Sequence, residues 1–514
     1  MNNFKILNFS IWDYKQYEKF ENVNFTFSDD NDSGSDLPFI TLVIGANATG
    51  KSRLLRIIVE TINDLYKLKN ENNTLFSFKG GYKLVFKYKK SIFSVENNKY
   101  ELIIKKNNRK INISKLELPE KLIAQSYSIN DRFPHQINNY SNLRITPTGS
   151  TLKSRYNNSM YEYLGIRTFN NMASATGHIT RTIDILFNAF SIGSVNKSIS
   201  YVFDALNFRP NLSIEYRFKS YSSLIGNDKL TEKYLKNFID NLDEKKVGFS
   251  YKNFKDLLKN KTLLKELVEY AEELRERRNK RIPLIFDLDF TDINSFDSFI
   301  SEYRMLDLLR KLNLVSYGEI IVYRKDGSRF DINKGSSGEI NIFTSLISLA
   351  CVIEDNSLIL IDEPEISLHP NWQMKYLNLV YSIFHSRYTN SHFIICTHSH
   401  FLVSDLKPES SYLLTLKNDD DFNLKVDTIP KSTFGWSAEE VLYTVFDVRN
   451  TRNSFFEYDL TKLIRLINDS SNDFIEIKRL IDKFLVLKLS VEDPLNIVLE
   501  KANKYIEENA KHSK

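Results

Sequence analysis

The residues best suited to chemistry are Gly45 to Ser52, G-A-N-A-T-G-K-S, which fit the pattern G-x-x-x-x-G-K-[ST]. An apolar run, Phe39 to Ile44, precedes them, and aliphatic residues at helical spacing follow. In a strand–loop–helix of this kind, glycines let backbone N–H groups point inward, and the helix N-terminus attracts phosphate. The pattern predicts that a nucleoside triphosphate binds here. The expected contacts are Asn47, Ala48, Thr49, Gly50, Lys51, Ser52 and Arg53, with Lys51 at the β/γ-phosphates and Ser52 on Mg²⁺.

Two adjacent carboxylates follow a second apolar run, S-L-I-L-I-D-E-P, Ser357 to Pro364. Four aliphatic residues ending in Asp362-Glu363 predict a buried parallel strand that presents both carboxylates at its C-terminal end. We expect Asp362 to hold Mg²⁺ and Glu363 to polarise the attacking water. Phosphoryl transfer needs mainly positioning and charge stabilisation, so these two groups suffice for that chemistry.

A third motif is S-S-G-E, Ser336 to Glu339, which precedes a predicted helix. Backbone N–H groups at a helix start can bind an anion. Glu339 lies three residues after Ser336, as in a capping box, so a simple helix cap is the alternative interpretation.

The segment His392 to His400, H-F-I-I-C-T-H-S-H, predicts another buried strand that ends at Thr397-His398. From that position His398 can donate a hydrogen bond to a γ-phosphate. Three histidines in nine residues also raise the possibility of zinc, but carboxylate or thiolate partners at suitable spacing are missing from the segment.

In this order the motifs resemble those of the ATP-binding-cassette (ABC) superfamily: phosphate loop, S-S-G-E signature, I-D-E-P strand, S-L-H-P loop and T-H-S switch. They are most similar to its RecF/SMC/OLD-type branch. The residues that match this branch are Asn47, Glu365, Leu368, His369 and Pro370, whereas His400 stands where the branch usually has proline. The resemblance covers about residues 1–60 and 315–405. It implies ATP and Mg²⁺ as ligands, with Lys51, Glu363 and His398 as the catalytic residues.

The resemblance also implies a glutamine loop that contacts the metal and the nucleotide, for which Gln125 is the candidate. In this superfamily the signature of one subunit closes over the ATP held by another. Ser336, Ser337, Gly338 and Glu339 would therefore contact the nucleotide of a partner. Because the chain has one copy of each motif, the implied assembly is a head-to-tail homodimer or a higher homo-oligomer.

Composition limits the alternatives. A chain of 514 residues with 42% hydrophobic residues can bury at least one large core. The net charge of +5 does not indicate a general nucleic-acid binder. The two cysteines form no metal-type pair, and no apolar run approaches a membrane span. These features predict a cytoplasmic protein with reduced thiols and no membrane partner.

The motifs and periodicities together predict an α/β fold. It would be an ABC-ATPase head with a mixed central sheet, flanking helices and an antiparallel β subdomain, joined to a helical insertion and a helical C-terminal region. The expected parts are an N-terminal lobe (residues 1–225), a helical arm or cap (226–312), a C-terminal lobe (313–430) and a partner-binding region (431–514).

No nuclease motif is found in the sequence, so we expect an ATPase that works with a separate effector, a nuclease or a Toprim protein. A compact OLD-like head of this kind resembles ATPase subunits of bacterial anti-phage systems, namely Septu, retron and PARIS systems. DNA or a phage component is a further expected partner. The alternatives are a RecF/SMC-like DNA-repair ATPase and, less favoured by the motifs, a transporter motor.

Overall fold

The computed structural model describes two compact units, Met1–Ala438 and Glu439–Lys514. The described residues are 3–14, 20–29, 37–71, 76–98, 101–134, 160–167, 174–191, 198–218, 231–240, 260–280, 282–292, 295–311, 314–385, 388, 390–418, 423–429, 433–446, 453–469, 473–486 and 495–510.

The first unit contains both strands and helices, and the described residues of the second unit form helices. The strands are β1 (Asn3–Trp12), β2 (Val23–Thr26), β3 (Phe39–Gly45), β4 (Gly81–Lys89), β5 (Ser91–Asn97), β6 (Leu102–Lys106), β7 (Arg109–Lys110), β8 (Leu122–Ser126), β9 (Tyr161–Tyr163), β10 (Phe208–Phe218), β11 (Leu284–Asp289), β12 (Val315–Arg324), β13 (Arg329–Asp331), β14 (Leu358–Asp362), β15 (His392–Thr397), β16 (Ser411–Asn418) and β17 (Leu424–Thr428). The helices are α1 (Lys51–Glu71), α2 (Ala175–Ser191), α3 (Ser198–Ala205), α4 (Glu232–Asp240), α5 (Lys261–Asn279), α6 (Ser295–Lys311), α7 (Ser337–Val352), α8 (Pro370–Phe384), α9 (His400–Val403), α10 (Ala438–Thr444), α11 (Ser454–Asn468), α12 (Phe474–Leu485) and α13 (Leu495–Ala510).

The central sheet has seven strands in the order β17-β16-β3-β15-β14-β8-β9, all parallel except the β16–β17 pair. Every residue of β14 and β15 is buried, as expected for continuous apolar strands covered on both faces. Because parallel strands end at one edge, Gly45, Asp362 and Thr397 lie at the same edge of the sheet.

Each face of the central sheet is covered. On one face, Leu358 and Leu360 of β14 share a hydrophobic core with Leu54 and Leu55 of α1 and with the antiparallel strands. On the other face, the carbonyl of Ser345 in α7 accepts a hydrogen bond from β8.

The antiparallel subdomain is a six-stranded sheet in the order β2-β1-β4-β5-β6-β7. Its inward residues are largely aromatic, and Phe86 and Phe93 stack with ring centroids 5.3 Å apart. The predicted fold class, a mixed central sheet with flanking helices and an antiparallel β subdomain, is therefore confirmed.

The segment 226–312, for which the sequence predicts a helical insertion, contains a strand as well as helices. It contains α4, α5 and α6, but also β11, which pairs with β10 in a four-stranded antiparallel sheet ordered β11-β10-β12-β13. Leu284 and Leu288 are buried while Ile285 and Asp287 are exposed, so the strand has the period-two pattern of a half-buried sheet.

The second unit, Glu439–Lys514, packs its helices around a core of its own. The core residues are Leu463, Ile477, Leu480, Ile481, Phe484, Leu495, Leu499 and Ala502. In neither unit does a described helix combine the length and the apolar character needed to cross a membrane.

Candidate nucleotide-binding site

The phosphate-loop sequence forms a tight turn between β3 and α1. Ala48 and Gly50 have φ angles of 62° and 97°, in the left-handed region that glycine adopts without strain. The Thr49 hydroxyl donates to the Ala46 carbonyl at 2.9 Å and closes the turn. A Cβ added to Gly45 would lie 2.4 Å from the Leu416 carbonyl oxygen, so this glycine is needed for the close approach of β16.

Lys51 is buried, with only 4% of its surface exposed. Its Nζ donates to the carbonyls of Gly45 at 2.9 Å and Ala46 at 3.2 Å, and lies 3.5 Å from His398 Nδ1. Burial lowers the pKa of Lys51, and nearby acidic groups, among them Glu363, partly oppose that shift. The Lys51 side chain therefore folds back onto the phosphate loop and lies beside His398.

Asp362 lies at the end of β14 with 2% exposure. Burial raises the pKa of this carboxyl to about 7, and a hydrogen bond with Ser52 opposes the shift. Its Oδ1 has no hydrogen-bond partner among the described residues, which is uncommon for a buried oxygen. An unpartnered carboxylate oxygen beside a serine hydroxyl fits Mg²⁺, which prefers oxygen ligands. The residues present thus suit the cation that the sequence predicts.

Glu363, the next residue, turns away from the strand and contacts the switch. Its φ is 51°, a strained value for a residue with a side chain, and its N–H donates to the Cys396 carbonyl at 2.8 Å. The carboxylate Oε1 lies 3.3 Å from His398 Nε2. This hydrogen bond lowers the pKa of Glu363 more than burial raises it. Glu363 is therefore an ionised base that is held in position.

His398 is itself positioned by the segment after Glu363. Its backbone N–H donates to Glu365 Oε1 at 2.5 Å. One residue further, the Ser399 hydroxyl donates to Gln373 Oε1 at 2.7 Å, and the Gln373 amide donates to the Leu368 carbonyl at 2.9 Å. Motif matching identified Glu365, but only the structure shows that this residue fixes the switch.

The other histidines of the H-F-I-I-C-T-H-S-H segment serve other purposes. His392 is fully buried at the opposite end of β15, where Nδ1 accepts from the Ile6 N–H at 3.1 Å and Nε2 bonds with Thr41 at 2.8 Å. Within the described part of the chain, no group of three or more His, Cys, Asp or Glu side chains is arranged to hold a metal ion.

One cavity of about 350 Å³ is lined by the phosphate loop, Glu363 and His398. Its volume is within the range of small-molecule sites. Its lining residues are Asn47, Ala48, Gly50, Lys51, Ser52, Arg53, Arg132, Glu363 and His398. Sequence reasoning missed Arg132. The feature that could have identified Arg132 is its position just after β8, where the sequence predicts a loop that contacts the nucleotide.

Gln125 does not line this cavity. It is fully buried in β8, its amide nitrogen donates to the Ser345 carbonyl at 3.2 Å, and its oxygen has no partner among the described residues. In the sheet register Ser126, not Gln125, lies opposite Asp362. Because alternate residues point to opposite faces, Gln125 faces α7 while Asp362 faces α1.

The S-S-G-E segment also lies outside the cavity. Ser336 and Glu339 form both halves of a capping box at the start of α7, which was the alternative interpretation of this segment. Ser336 and Ser337 are exposed, and Gly338 approaches the Ser367 carbonyl so closely that an added Cβ would lie 2.6 Å from it. The structure therefore brings together the phosphate loop, the carboxylates and the switch, whereas the signature residues do not line the cavity.

A family model described as AAA ATPase domain matches residues 4–403. The retron Vc95 probable ATPase of Vibrio cholerae serotype O1 biovar El Tor is 23% identical over 471 residues, a match covering 86% of this chain and 79% of that protein. The Septu protein PtuA of Bacillus thuringiensis is 29% identical over 121 residues, covering 23% of this chain and 29% of that protein.

Among solved structures, the chain matches SMC head domains. The head from Thermotoga maritima gives a TM-score of 0.34 at 11% identity, covering 83% of this chain and 100% of that chain. The Smc head from Pyrococcus furiosus bound to the C-terminal domain of ScpA gives 0.32 at 12% identity, covering 87% and 100%.

Proposed function

Because this chain belongs to the AAA ATPase domain family, we propose that it binds and hydrolyses ATP in the cavity between Lys51 and Glu363. One observation carries the proposal: the phosphate loop, an unpartnered buried carboxylate oxygen of Asp362 and an ionised base at Glu363 meet at one edge of one sheet. Lys51 supplies a donor for phosphate oxygens and Glu363 a base for the attacking water, the two roles that phosphoryl transfer to water requires.

The roles follow from the geometry. Lys51 neutralises charge on the β- and γ-phosphates, and Glu363 accepts a proton from the attacking water. His398 holds the Glu363 carboxylate and also lies beside Lys51, so it links the base to the phosphate loop. Ser52 and Asp362 would hold Mg²⁺, which when bound supplies further charge neutralisation at the phosphates.

Lys51→Ala tests the proposal. We expect at least about a tenfold loss of ATP affinity, since a charge-assisted hydrogen bond contributes roughly 1.5–3 kcal/mol, and no measurable hydrolysis. The measurements are equilibrium binding of a fluorescent ATP analogue and phosphate release.

Lys110→Ala is the matched control, because Lys110 is an exposed lysine on β7 that pairs with Glu101. Its nucleotide affinity should equal that of the unmodified protein. Equal affinity in Lys51→Ala, or no ATP binding by the unmodified protein, would overturn the proposed site.

We further propose that the ATPase belongs to an anti-phage defence complex and regulates a separate effector, a nuclease or a Toprim protein. The support is its similarity to a retron ATPase and to a Septu protein. In this proposal residues 1–225 and 313–430 form the two lobes of the head, and 226–312 form a cap. Residues 431–514 bind the partner.

The second unit has surface features that fit partner binding. Several of its large apolar side chains are strongly exposed among the described residues, including Phe455 at 82%, Ile475 at 85% and Val486 at 80%. Exposed apolar side chains of this size are typical of association surfaces when they cluster. They are the first positions to substitute in an interaction test.

Co-purification tests the partnership. The chain would be tagged at its native locus, purified with ATP and analysed by mass spectrometry. We expect a stoichiometric nuclease or Toprim partner, which Ile475→Lys depletes and Lys110→Ala retains. Recovery of the chain with copies of itself alone would contradict the effector proposal, and recovery with DNA in a salt-sensitive complex would favour the RecF-like alternative.

A further inference from the structure

Arg132 is an exposed arginine on the wall of the nucleotide cavity, on the loop that leaves β8. None of the motifs found in the sequence includes it. It shares the cavity with Lys51, Ser52 and Glu363, the groups assigned to the terminal phosphates and to the water. An arginine in such a place presents a planar fork of donors suited to phosphate oxygens.

The residue before Arg132 is anchored in the protein interior. The Asp131 carboxylate is fully buried and accepts two hydrogen bonds from Arg167, at 2.6 Å and 3.0 Å. It also accepts the Tyr163 hydroxyl at 2.6 Å and the Phe133 N–H at 3.0 Å. A buried carboxylate with this many partners fixes the backbone that carries it.

The residues after Arg132 are held by Arg167 and by Tyr161 of β9. Arg167 donates to the Phe133 carbonyl at 2.6 Å, and the Tyr161 hydroxyl donates to the Pro134 carbonyl at 2.7 Å. Phe133 is itself buried. Arg132 is therefore the exposed residue in a turn whose two sides are tied to β9 and Arg167.

The strand order shows which part of the cavity this turn faces. β8 lies next to β14, and Ser126 at its end lies opposite Asp362. The turn thus leaves the sheet on the side of the two carboxylates, where the terminal phosphate is expected.

We propose that Arg132 binds the terminal phosphate of ATP from within the same chain, and that Asp131, Arg167 and Tyr163 position it. The proposal rests on the proposed ATP site and goes beyond it. Arg132 allows the site to distinguish ATP from ADP, because ADP lacks the terminal phosphate that the guanidinium contacts. Its charge also stabilises the negative charge on the transferred phosphoryl group.

The first experiment compares ATP and ADP. Arg132→Ala should weaken binding of the non-hydrolysable imido analogue of ATP about 10- to 100-fold and of ADP less than about threefold. Arg132→Lys should recover part of the loss, because it keeps the charge without the fork. Arg109→Ala, an exposed arginine on β7 that does not line the cavity, is the matched control and should change neither affinity.

The outcomes separate this inference from the proposed function. If the unmodified protein binds ATP, Lys51→Ala loses binding and Arg132→Ala behaves like Arg109→Ala, the ATP site stands and the role of Arg132 is wrong. An equal loss for ATP and ADP in Arg132→Ala would also contradict it, since contact with the third phosphate requires a difference. If the unmodified protein does not bind ATP, the proposed function itself fails.

The second experiment tests Arg167 as a positioning residue. Arg167→Lys should lower the ratio of ATP to ADP affinity in the otherwise unmodified protein, but should have no further effect on that ratio when Arg132 is already alanine. A purely structural role would lower stability equally in both backgrounds and leave the ratio unchanged. Thermal unfolding measured in parallel identifies variants that fail to fold.

Discussion

At the scale of single residues, the Glu363–His398 contact is central to the proposed hydrolysis. The carboxylate lies 3.3 Å from the imidazole, and this hydrogen bond lowers the pKa of Glu363 below its ordinary value. Glu363 is therefore ionised throughout the neutral range. Its availability as a base does not depend on pH there.

Glu363→Gln removes the base and keeps the shape of the side chain. We expect phosphate release to slow by about 100-fold or more, the usual effect of losing a general base, while ATP affinity changes less than about threefold. Steady-state phosphate release and direct nucleotide binding measure the two effects separately.

Glu101→Gln is the control, since Glu101 is exposed on the antiparallel subdomain and pairs with Lys110. It should hydrolyse ATP at the unmodified rate. If Glu363→Gln did the same, another group would have to be the base.

The position of a residue could be predicted where it lies at or near the end of an apolar strand. The strand pattern places Lys51, Glu363 and His398 at one sheet edge before any tertiary contact is known, and in the structure all three line one cavity. The bond between Glu365 and the His398 N–H joins two segments 33 residues apart, and its geometry is visible only in the folded chain. Arg132 was missed because its turn is fixed by the distant Arg167, a contact that no local pattern indicates.

At the scale of elements, the phosphate loop depends on how closely β3 and β16 approach each other. Gly45 is paired with Leu416 in the parallel register, and the Leu416 carbonyl oxygen occupies the space that a side chain would need. This constraint is separate from the turn at Gly50, which depends on a positive φ angle.

Gly45→Ala should therefore destabilise the protein and distort the loop. A Cβ 2.4 Å from a backbone oxygen and 2.9 Å from Thr49 Oγ1 forces β16 to move, which costs about 1–3 kcal/mol, as overpacking typically does. We expect a lower unfolding temperature together with weaker ATP binding, measured by thermal unfolding and fluorescence titration.

Gly435→Ala is the control for Gly45→Ala. Gly435 has a φ of +82° and no atom within 4 Å of an added Cβ, so only backbone strain of about 1 kcal/mol is introduced. It should lower stability slightly and leave ATP affinity unchanged. A Gly45→Ala protein as stable as the unmodified one would show that the two strands can separate at low cost.

A helix or a strand could be predicted from the sequence where its hydrophobic residues repeat with a clear period. The capping box at Ser336 and Glu339 is visible in the sequence as the alternative to an anion site, because both residues are local to the helix start. The strand Leu284–Asp289 lies in the segment for which the sequence predicts a helical insertion, because six residues between two helical segments show too short a period-two pattern to stand out. Its pairing with β10, more than 70 residues earlier in the chain, is what makes it a strand.

At the scale of the whole molecule, the signature segment lies apart from the cavity of its own chain. Ser336 and Ser337 are exposed at the start of α7, whereas the cavity is lined by the phosphate loop, Arg132, Glu363 and His398. In the proposed assembly, the N–H groups of Ser337 and Gly338, which the capping box does not use, would bind a phosphate. A second copy, arranged head to tail, would supply one.

ATP-dependent association of the Glu363→Gln protein tests this assembly. Since slow hydrolysis keeps ATP bound, we expect it to sediment as a monomer without nucleotide and as a dimer with ATP and Mg²⁺. Ser337→Arg, added to Glu363→Gln, places a bulky side chain where the partner's triphosphate would dock. The double variant should bind ATP with unchanged affinity and remain monomeric.

Ser454→Arg is the matched control for this substitution. Ser454 is likewise an exposed serine at the first position of a capped helix, α11, but it lies in the second unit, far along the chain from the signature. In the Glu363→Gln background it should leave the ATP-induced dimer intact, because an arginine at a helix start does not by itself prevent association. A dimer that persists with Ser337→Arg would show that residues 336–339 do not close over a partner's nucleotide, and a Glu363→Gln protein that stays monomeric with ATP bound would show that one chain encloses the triphosphate alone.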